Sequence, residues 1–147
     1  WLFLRFTLAD DIRRASPLQA RLKIWGVASS NWSSDRHALL VLVEDSANAP
    51  VTTDPSHSPD KPSGVKTLQE LRWPASGGLG WKTDDYNEVD VSALIFALAN
   101  AYDLRAGAHV QLWIRGDFST ESAEVATLPP SDGSYRSPVL EIDHCAP

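Results

Sequence analysis

The chain opens on the stretch WLFLRFTL, residues 1–8, in which apolar residues occupy every second position. Strict alternation is typical of a β-strand that turns one face to a hydrophobic core. The predicted buried face consists of Leu2, Leu4, Phe6 and Leu8. Because this strand begins without a lead-in, we expect the chain to be a fragment of a larger protein.

Strand-like patterns recur along the whole chain, separated by loops rich in Pro, Gly, Ser and Asp. One short segment, residues 93–102, has helical periodicity, and Ser92 is placed to cap it. The further predicted strands cover residues 18–27, 38–44, 66–73, 88–91, 108–116, 121–128 and 138–143. Many short strands with one short helix predict an all-β fold, an antiparallel jelly-roll β-sandwich formed by residues 1–147 as a single domain.

Composition narrows the classes of partner. The chain has 147 residues, 43% of them hydrophobic and 22% charged, with a net charge of -6. A nucleic-acid-binding protein needs a concentrated basic surface, so this balance argues against a nucleic-acid partner. No apolar run approaches the roughly 20 residues of a membrane span, so we expect no membrane insertion.

Two tryptophans stand on the polar side of their predicted strands. Trp25 has Lys23 two residues away, and Trp113 has Arg115 two residues away. Exposed indole rings stack on the apolar faces of sugars, and neighbouring cations bind hydroxyls or carboxylates. The four residues are therefore candidates for a glycan platform. The alternative is that the helix, a long loop or a neighbouring module covers both rings.

Loop residues supply a second group of candidates. Trp32 and Trp81 could extend a sugar platform at the sandwich edge, or could fold back onto the core. Asn31 begins the sequon Asn31-Trp32-Ser33, a candidate for N-glycosylation. The lone cysteine, Cys145, is a candidate for a disulfide with a segment outside the chain, or an incidental surface thiol.

The densest acidic stretch is a candidate calcium site. It consists of Asp84, Asp85, Glu88 and Asp90. Carboxylate oxygens are the ligands that Ca²⁺ prefers, although the spacing does not fit an EF-hand loop. The alternative is a solvated loop in which Asp90 has a structural role. A structural calcium ion is thus possible, and no other cofactor is expected.

Catalytic motifs are missing from the sequence. The four histidines are scattered without metal-ligand spacing, and there is no Gly-x-Ser-x-Gly nucleophile elbow. No pair of carboxylates stands out as an acid and base. The sequence therefore predicts a protein that is not an enzyme.

Five short motifs occur in an order that resembles a known family. They are Leu4-Arg5-Phe6-Thr7-Leu8, Ala20-Arg21-Leu22-Lys23-Ile24-Trp25, Trp73-Pro74, Val89-Asp90-Val91-Ser92 and Ser137-Pro138-Val139-Leu140-Glu141-Ile142. This order resembles the DNRLRE-type domains, which are related to carbohydrate-binding module family 96. The resemblance implies an extracellular jelly roll, polysaccharide binding in some members, and no catalysis. Additional N-terminal strands of the family have no counterpart here.

Together these observations favour an extracellular, non-catalytic module of the carbohydrate-binding type, which attaches a larger protein to a polysaccharide or a glycoprotein glycan. The alternative is a structural or adhesive module of a cell-surface or filament assembly, with neighbouring protein modules as partners. The two hypotheses differ in what covers Trp25 and Trp113: a glycan in the first, protein in the second.

Overall fold

A computed structural model of the chain describes residues 2–14, 16–30, 38–50, 65–74, 80–116, 122–125 and 136–144. The predictions for Asn31, Trp32 and Cys145 lie outside these residues, as does Trp1. Eight strands and one helix are present within the described ranges. They are β1 Leu2–Thr7, β2 Leu18–Ser30, β3 Leu39–Glu44, β4 Thr67–Trp73, β5 Asp85–Asp90, α1 Ser92–Ala101, β6 His109–Gly116, β7 Ser122–Val125 and β8 Val139–His144.

The strands form two antiparallel sheets. The first has the order β1-β6-β3-β4, and the second has the order β5-β2-β7, with β8 also paired to β2. Strand β2 pairs with β5 over residues 21–26 and with β8 over residues 18–23. Because residues 21–23 of β2 have both partners, β5 and β8 lie on opposite sides of β2. The prediction of an all-β sandwich with one short helix is confirmed, and the jelly-roll strand order stays a prediction.

The core lies between the two sheets. From the first sheet, Leu4, Val41 and Leu112 are at most 6% exposed, and from the second, Leu22 and Ile24 are at most 1% exposed. Apart from Val41 on β3, these are the alternate positions of β1, β2 and β6 that the sequence pattern assigns to the inside. Burial of this apolar surface is the main favourable term that holds the sheets together.

Helix α1 packs over one end of this core. Leu94, Ile95, Leu98 and Ala99 are its buried residues. The helix begins at Ser92, so the prediction that Ser92 caps the helix is wrong. Its hydroxyl instead accepts the Ala20 N–H of β2 at 2.9 Å, which joins the helix to the second sheet. At ten residues, α1 is too short to cross a bilayer, and no other helix in the described ranges could do so.

Candidate functional site

The outer face of the second sheet carries aromatic and charged side chains together. On β2 this face presents Arg21, Lys23 and Trp25, because Leu22 and Ile24 between them point into the core. The antiparallel register places Tyr86 opposite Trp25, Glu88 opposite Lys23, and Glu141 opposite Arg21. We call these six residues the Trp25 strip: Arg21, Lys23, Trp25, Tyr86, Glu88 and Glu141.

Ion pairs link three strands along this strip. The Lys23 Nζ lies 2.7 Å from Glu141 Oε1 on β8 and 3.6 Å from Glu88 Oε1 on β5. Arg21 Nη1 lies 3.8 Å from the other oxygen of Glu88. The hydrogen bond from Lys23 to Glu141 raises the pKa of Lys23 above its ordinary value. Such exposed pairs add little stability, but they hold the side chains in fixed positions on the sheet.

Trp25 occupies one end of the strip and is half-buried. Its ring meets the Tyr86 ring edge-on at 5.2 Å, and the Arg136 guanidinium lies 5.7 Å from its centroid. The Tyr86 hydroxyl donates to the Ser137 carbonyl at 3.0 Å, which holds residues 136–137 beside the strip. The buried Trp25 indole N–H has no hydrogen-bond acceptor among the residues with described positions.

Trp113 is placed differently, and the prediction that it belongs to a glycan platform is wrong for this conformation. It lies on the outer face of the first sheet but is only 1% exposed. Its indole N–H donates to Glu44 Oε2 at 2.9 Å, and the Gln111 side-chain amide donates to the same oxygen at 2.9 Å. The Phe3 ring packs on it at 5.4 Å. A buried, hydrogen-bonded indole has no face to offer a sugar.

The two predicted platform tryptophans therefore do not meet. Trp25 is on β2 of the second sheet and Trp113 is on β6 of the first, and each projects away from the shared core. The thickness of the sandwich separates the two rings. It also separates Lys23, beside Trp25, from Arg115, beside Trp113. Arg115 is exposed on β6, away from the Trp25 strip. Alternation along one strand shows which face a residue has, but not which sheet the strand joins.

Trp81 folds back towards the core, which is one of the two alternatives predicted for it. Its ring lies 6.3 Å from that of Trp73, and it packs against the buried cluster. This close approach requires a glycine at position 26. A Cβ there would lie 2.9 Å from Trp81 Nε1 and 2.0 Å from the Lys82 carbonyl oxygen. Trp81 is thus part of the packing at one end of the sandwich and does not join the Trp25 strip.

The acidic stretch does not assemble into a metal site. Asp84 is exposed at the start of the segment, with a positive φ of 55°. Asp85 accepts the Tyr86 N–H, Glu88 pairs with Arg21 and Lys23, and Asp90 accepts the Ser92 N–H at 2.8 Å.

Asp84 precedes β5, and Asp85 lies on the opposite face of β5 from Glu88 and Asp90, so the four carboxylates do not converge. Across the part of the chain with described positions, no three His, Cys, Asp or Glu residues come together as metal ligands. The expected calcium set of Asp84, Asp85, Glu88 and Asp90 is therefore wrong as a single site.

Asp90 instead has a structural role, which the sequence analysis gave as the alternative to calcium binding. Hydrogen bonds from the Ser92 hydroxyl and the Ser92 N–H hold the pKa of Asp90 below its ordinary value. The same Ser92 hydroxyl bonds to Ala20 on β2. The junction of β5 and α1 is thereby attached to the central strand of the second sheet.

Three members of the Trp25 strip, Arg21, Tyr86 and Glu141, were not identified as candidates from sequence, and neither was Arg136 beside it. Tyr86, Arg136 and Glu141 all lie next to Trp25 or Lys23 in the fold, although more than 50 residues of chain separate each from β2. Only the strand register brings them to β2. The alternation of Tyr86 with Glu88 on a polar strand face was the one available signal for Tyr86.

Comparison with family models, with characterised proteins and with solved structures finds no match to this chain. The geometry of the Trp25 strip is therefore the basis on which a function is inferred.

Proposed function

We propose that the chain is a non-catalytic binding module, and that its ligand is a glycan bound along the Trp25 strip. The observation that carries this proposal is the difference between the two outward-facing tryptophans. The chain itself covers Trp113 and satisfies its N–H through Glu44, whereas Trp25 is half-buried and keeps part of its ring at the outer face of the second sheet. A partly exposed ring held at the outer face of a sheet by Tyr86 can stack on a sugar.

The charges of the strip favour a neutral glycan. Arg21 and Lys23 are paired with Glu88 and Glu141, so the four charges balance. An anionic sugar would have to compete with these carboxylates for the cations. Sugar hydroxyls, by contrast, both donate and accept, so they can bond to the carboxylates and to the cations without breaking the charge balance. We therefore expect neutral polysaccharides to bind more tightly than uronic acid polymers.

The resemblance to extracellular carbohydrate-binding modules agrees with this proposal. A module of this kind would attach a larger secreted or cell-surface protein to a polysaccharide or to the glycan of a glycoprotein. Calcium is not needed for the proposed binding, because the carboxylates of the strip already have side-chain cations as partners.

A glycan array followed by calorimetric titration tests the proposal. We expect Trp25→Ala to weaken binding of the best array ligand by about tenfold, because the sugar loses the aromatic ring on which it stacks. The matched control is Phe3→Ala, which removes a 38% exposed aromatic ring from the opposite sheet and should leave affinity unchanged. Absence of any glycan ligand, or equal binding by wild type and Trp25→Ala, would refute the proposal.

A structural or adhesive module with protein partners is the second candidate. It is favoured by the exposed Phe3 on β1, an edge strand of the first sheet. Exposed apolar side chains at a sheet edge are a common feature of surfaces that bind another protein. This surface is separate from the Trp25 strip, so both activities are compatible with one module.

A further inference from the structure

The outer face of the second sheet continues beyond the Trp25 strip. Side chains alternate along β2, so Gln19 lies on the same face as Arg21, while Ala20 between them is buried in the core. The register with β8 places Asp143 directly opposite Gln19, and both side chains are exposed. Polar side chains therefore extend the strip by one further row of the sheet.

A polar cleft opens at this row, and we call it the Gln19 cleft. It has a volume of about 170 Å³, and it is lined in part by Gln19, Arg21, Asp90, Glu141 and Asp143. It forms because β5 ends at Asp90, opposite Arg21, where the chain turns into α1. Beside Gln19, within the described ranges, the sheet therefore continues on the β8 side but not on the β5 side.

Two side chains in the cleft are available to a ligand. Across the part of the chain with described positions, neither Gln19 nor Asp143 forms a side-chain hydrogen bond or an ion pair. Glu141, by contrast, is already bonded to Lys23. An amide both donates and accepts hydrogen bonds, and a carboxylate accepts them. Gln19 and Asp143 together are therefore suited to binding hydroxyl groups.

The far end of the cleft is open. A wider depression of about 430 Å³ adjoins it, lined by Pro17, Leu18, Gln19, Asp143 and His144. Gln19 and Asp143 line both hollows, so the two meet at these side chains. A ligand that lies in the cleft therefore has room to continue past the first residue of β2.

On the basis of the proposed function, we propose that the glycan is an internal segment of an extended, neutral polysaccharide, and that Gln19 and Asp143 bind its hydroxyl groups. Trp25 and Gln19 are six residues apart on β2. At the usual rise of a strand, about 20 Å separates these two contacts. A single sugar ring is about the size of the indole on which it stacks, so one sugar cannot reach both.

The surface between the two contacts favours a straight chain. Both contacts lie on one strand, so the path between them is straight. The Lys23 ammonium is held by Glu88 and Glu141, and the Lys23 side chain is only 21% exposed, so it does not stand up across this path. An extended glycan follows such a path, whereas a coiled glycan touches one end and then leaves the sheet. Asp143 adds an unpaired negative charge, which disfavours a uronic acid in the cleft.

Calorimetric titration with cello-, manno- and xylo-oligosaccharides of two and of six sugar residues tests the proposal. All three series are neutral and extended. We expect the hexasaccharide of at least one series to bind about tenfold more tightly than its disaccharide, because only the longer chain gains hydrogen bonds in the cleft. Reduction of its terminal sugar to the alditol should leave the affinity unchanged, because internal rings make the contacts.

Two variants separate the cleft from the Trp25 strip. Gln19→Ala and Asp143→Ala should each weaken hexasaccharide binding about fivefold and leave disaccharide binding unchanged, because the disaccharide contacts Trp25 without reaching the cleft. Trp25→Ala should weaken the binding of both. The matched control is Gln69→Ala, at an exposed glutamine on β4 of the first sheet, which should bind as the wild type does.

The outcomes distinguish this proposal from the proposed function. Hexasaccharide binding that is weakened by Trp25→Ala but not by the two cleft variants would leave glycan binding standing and overturn the extended site. The extended site is also overturned if affinity does not rise with chain length, if the alditol does not bind, or if only a coiled or branched glycan on the array binds. Binding of no glycan at all would refute both.

Discussion

Asn87 and Lys82 form a closed pair of hydrogen bonds: the Asn87 side-chain oxygen accepts the Lys82 N–H at 2.8 Å, and its nitrogen donates to the Lys82 carbonyl at 2.9 Å. Asn87 is only 3% exposed, on the inner side of β5. An amide side chain is needed because it both donates and accepts. This pair holds the segment that carries Trp81 against the sandwich.

Replacing the amide by a carboxylate should therefore destabilise the fold. We expect Asn87→Asp to lower the free energy of unfolding by about 1–3 kcal/mol, because the Lys82 carbonyl loses its donor and faces a charge. Urea denaturation measures this difference. Asn48→Asp, at an exposed asparagine whose side-chain oxygen accepts the His109 N–H, is the control and should cost less, because a carboxylate can still accept this bond. Equal stability of wild type and Asn87→Asp would contradict the role assigned to Asn87.

Gly26 should not tolerate a side chain. A Cβ at this position would lie 2.0 Å from the Lys82 carbonyl oxygen, which is backbone and cannot rotate away. We expect Gly26→Ala to cost about 1–3 kcal/mol of unfolding free energy, as overpacking does elsewhere. The matched control is Gly80→Ala, because a Cβ at Gly80 meets no atom within 4 Å. If the two alanine variants have the same thermal midpoint, the close approach at Gly26 is not as the structure has it.

The two outward-facing tryptophans should differ in their contribution to stability. Trp113→Ala empties a buried site and leaves the Glu44 carboxylate without one donor, so we expect a loss of about 3–5 kcal/mol. Trp25→Ala removes a half-buried ring, and we expect less than about half that loss. Guanidinium denaturation of both variants measures the contrast. A larger loss for Trp25→Ala would show that Trp25 is the structural residue of the two.

Asp90 should make the free energy of unfolding depend on pH under acidic conditions. Its pKa in the folded protein is held below the ordinary value of 3.8 by hydrogen bonds from Ser92. Because the pKa of Asp90 is lower in the folded state than in the unfolded state, its ionised form stabilises the fold. This stabilisation is fully present above the unfolded-state pKa and is lost as the pH falls through the folded-state pKa. We therefore expect the difference in unfolding free energy between wild type and Asp90→Asn to be largest near pH 6 and to vanish at the lowest pH.

Urea denaturation at several pH values from 6 downwards provides this measurement. Asp143→Asn, which removes one negative charge from an exposed position on β8, controls for the change in net charge. A difference between wild type and Asp90→Asn that stays constant with pH would mean that the ionised form of Asp90 has no special stabilisation.

Periodicity was sufficient to place most of the strands. The alternation of residues 2–8, 18–24 and 110–114 is a local property, because the pleat turns successive side chains to opposite faces. The structure has these residues in β1, β2 and β6 with the predicted faces inside. β5 was predicted too short, at 88–91, because Asp85, Tyr86 and Asn87 form a polar strand with little alternation of hydrophobicity.

The candidate site was only partly predictable. Trp25 and Lys23 lie on one strand face, so their proximity follows from a spacing of two residues. Tyr86, Glu141 and Arg136 join them through pairing between strands distant in sequence, which no local pattern encodes. Trp113 has the same local pattern as Trp25, yet Glu44 and Phe3 from other strands bury it.

The sequence by itself determined which residues form strands and which side of each strand is apolar, because these depend on neighbours one or two residues away. Only the tertiary structure decided that Trp25 and Trp113 lie on opposite outer faces, that Trp81 packs above Gly26, and that β1 ends one sheet. Those relationships depend on which strands pair and in which register. The energy of strand pairing depends on contacts across both sheets, so no single segment of the sequence determines it.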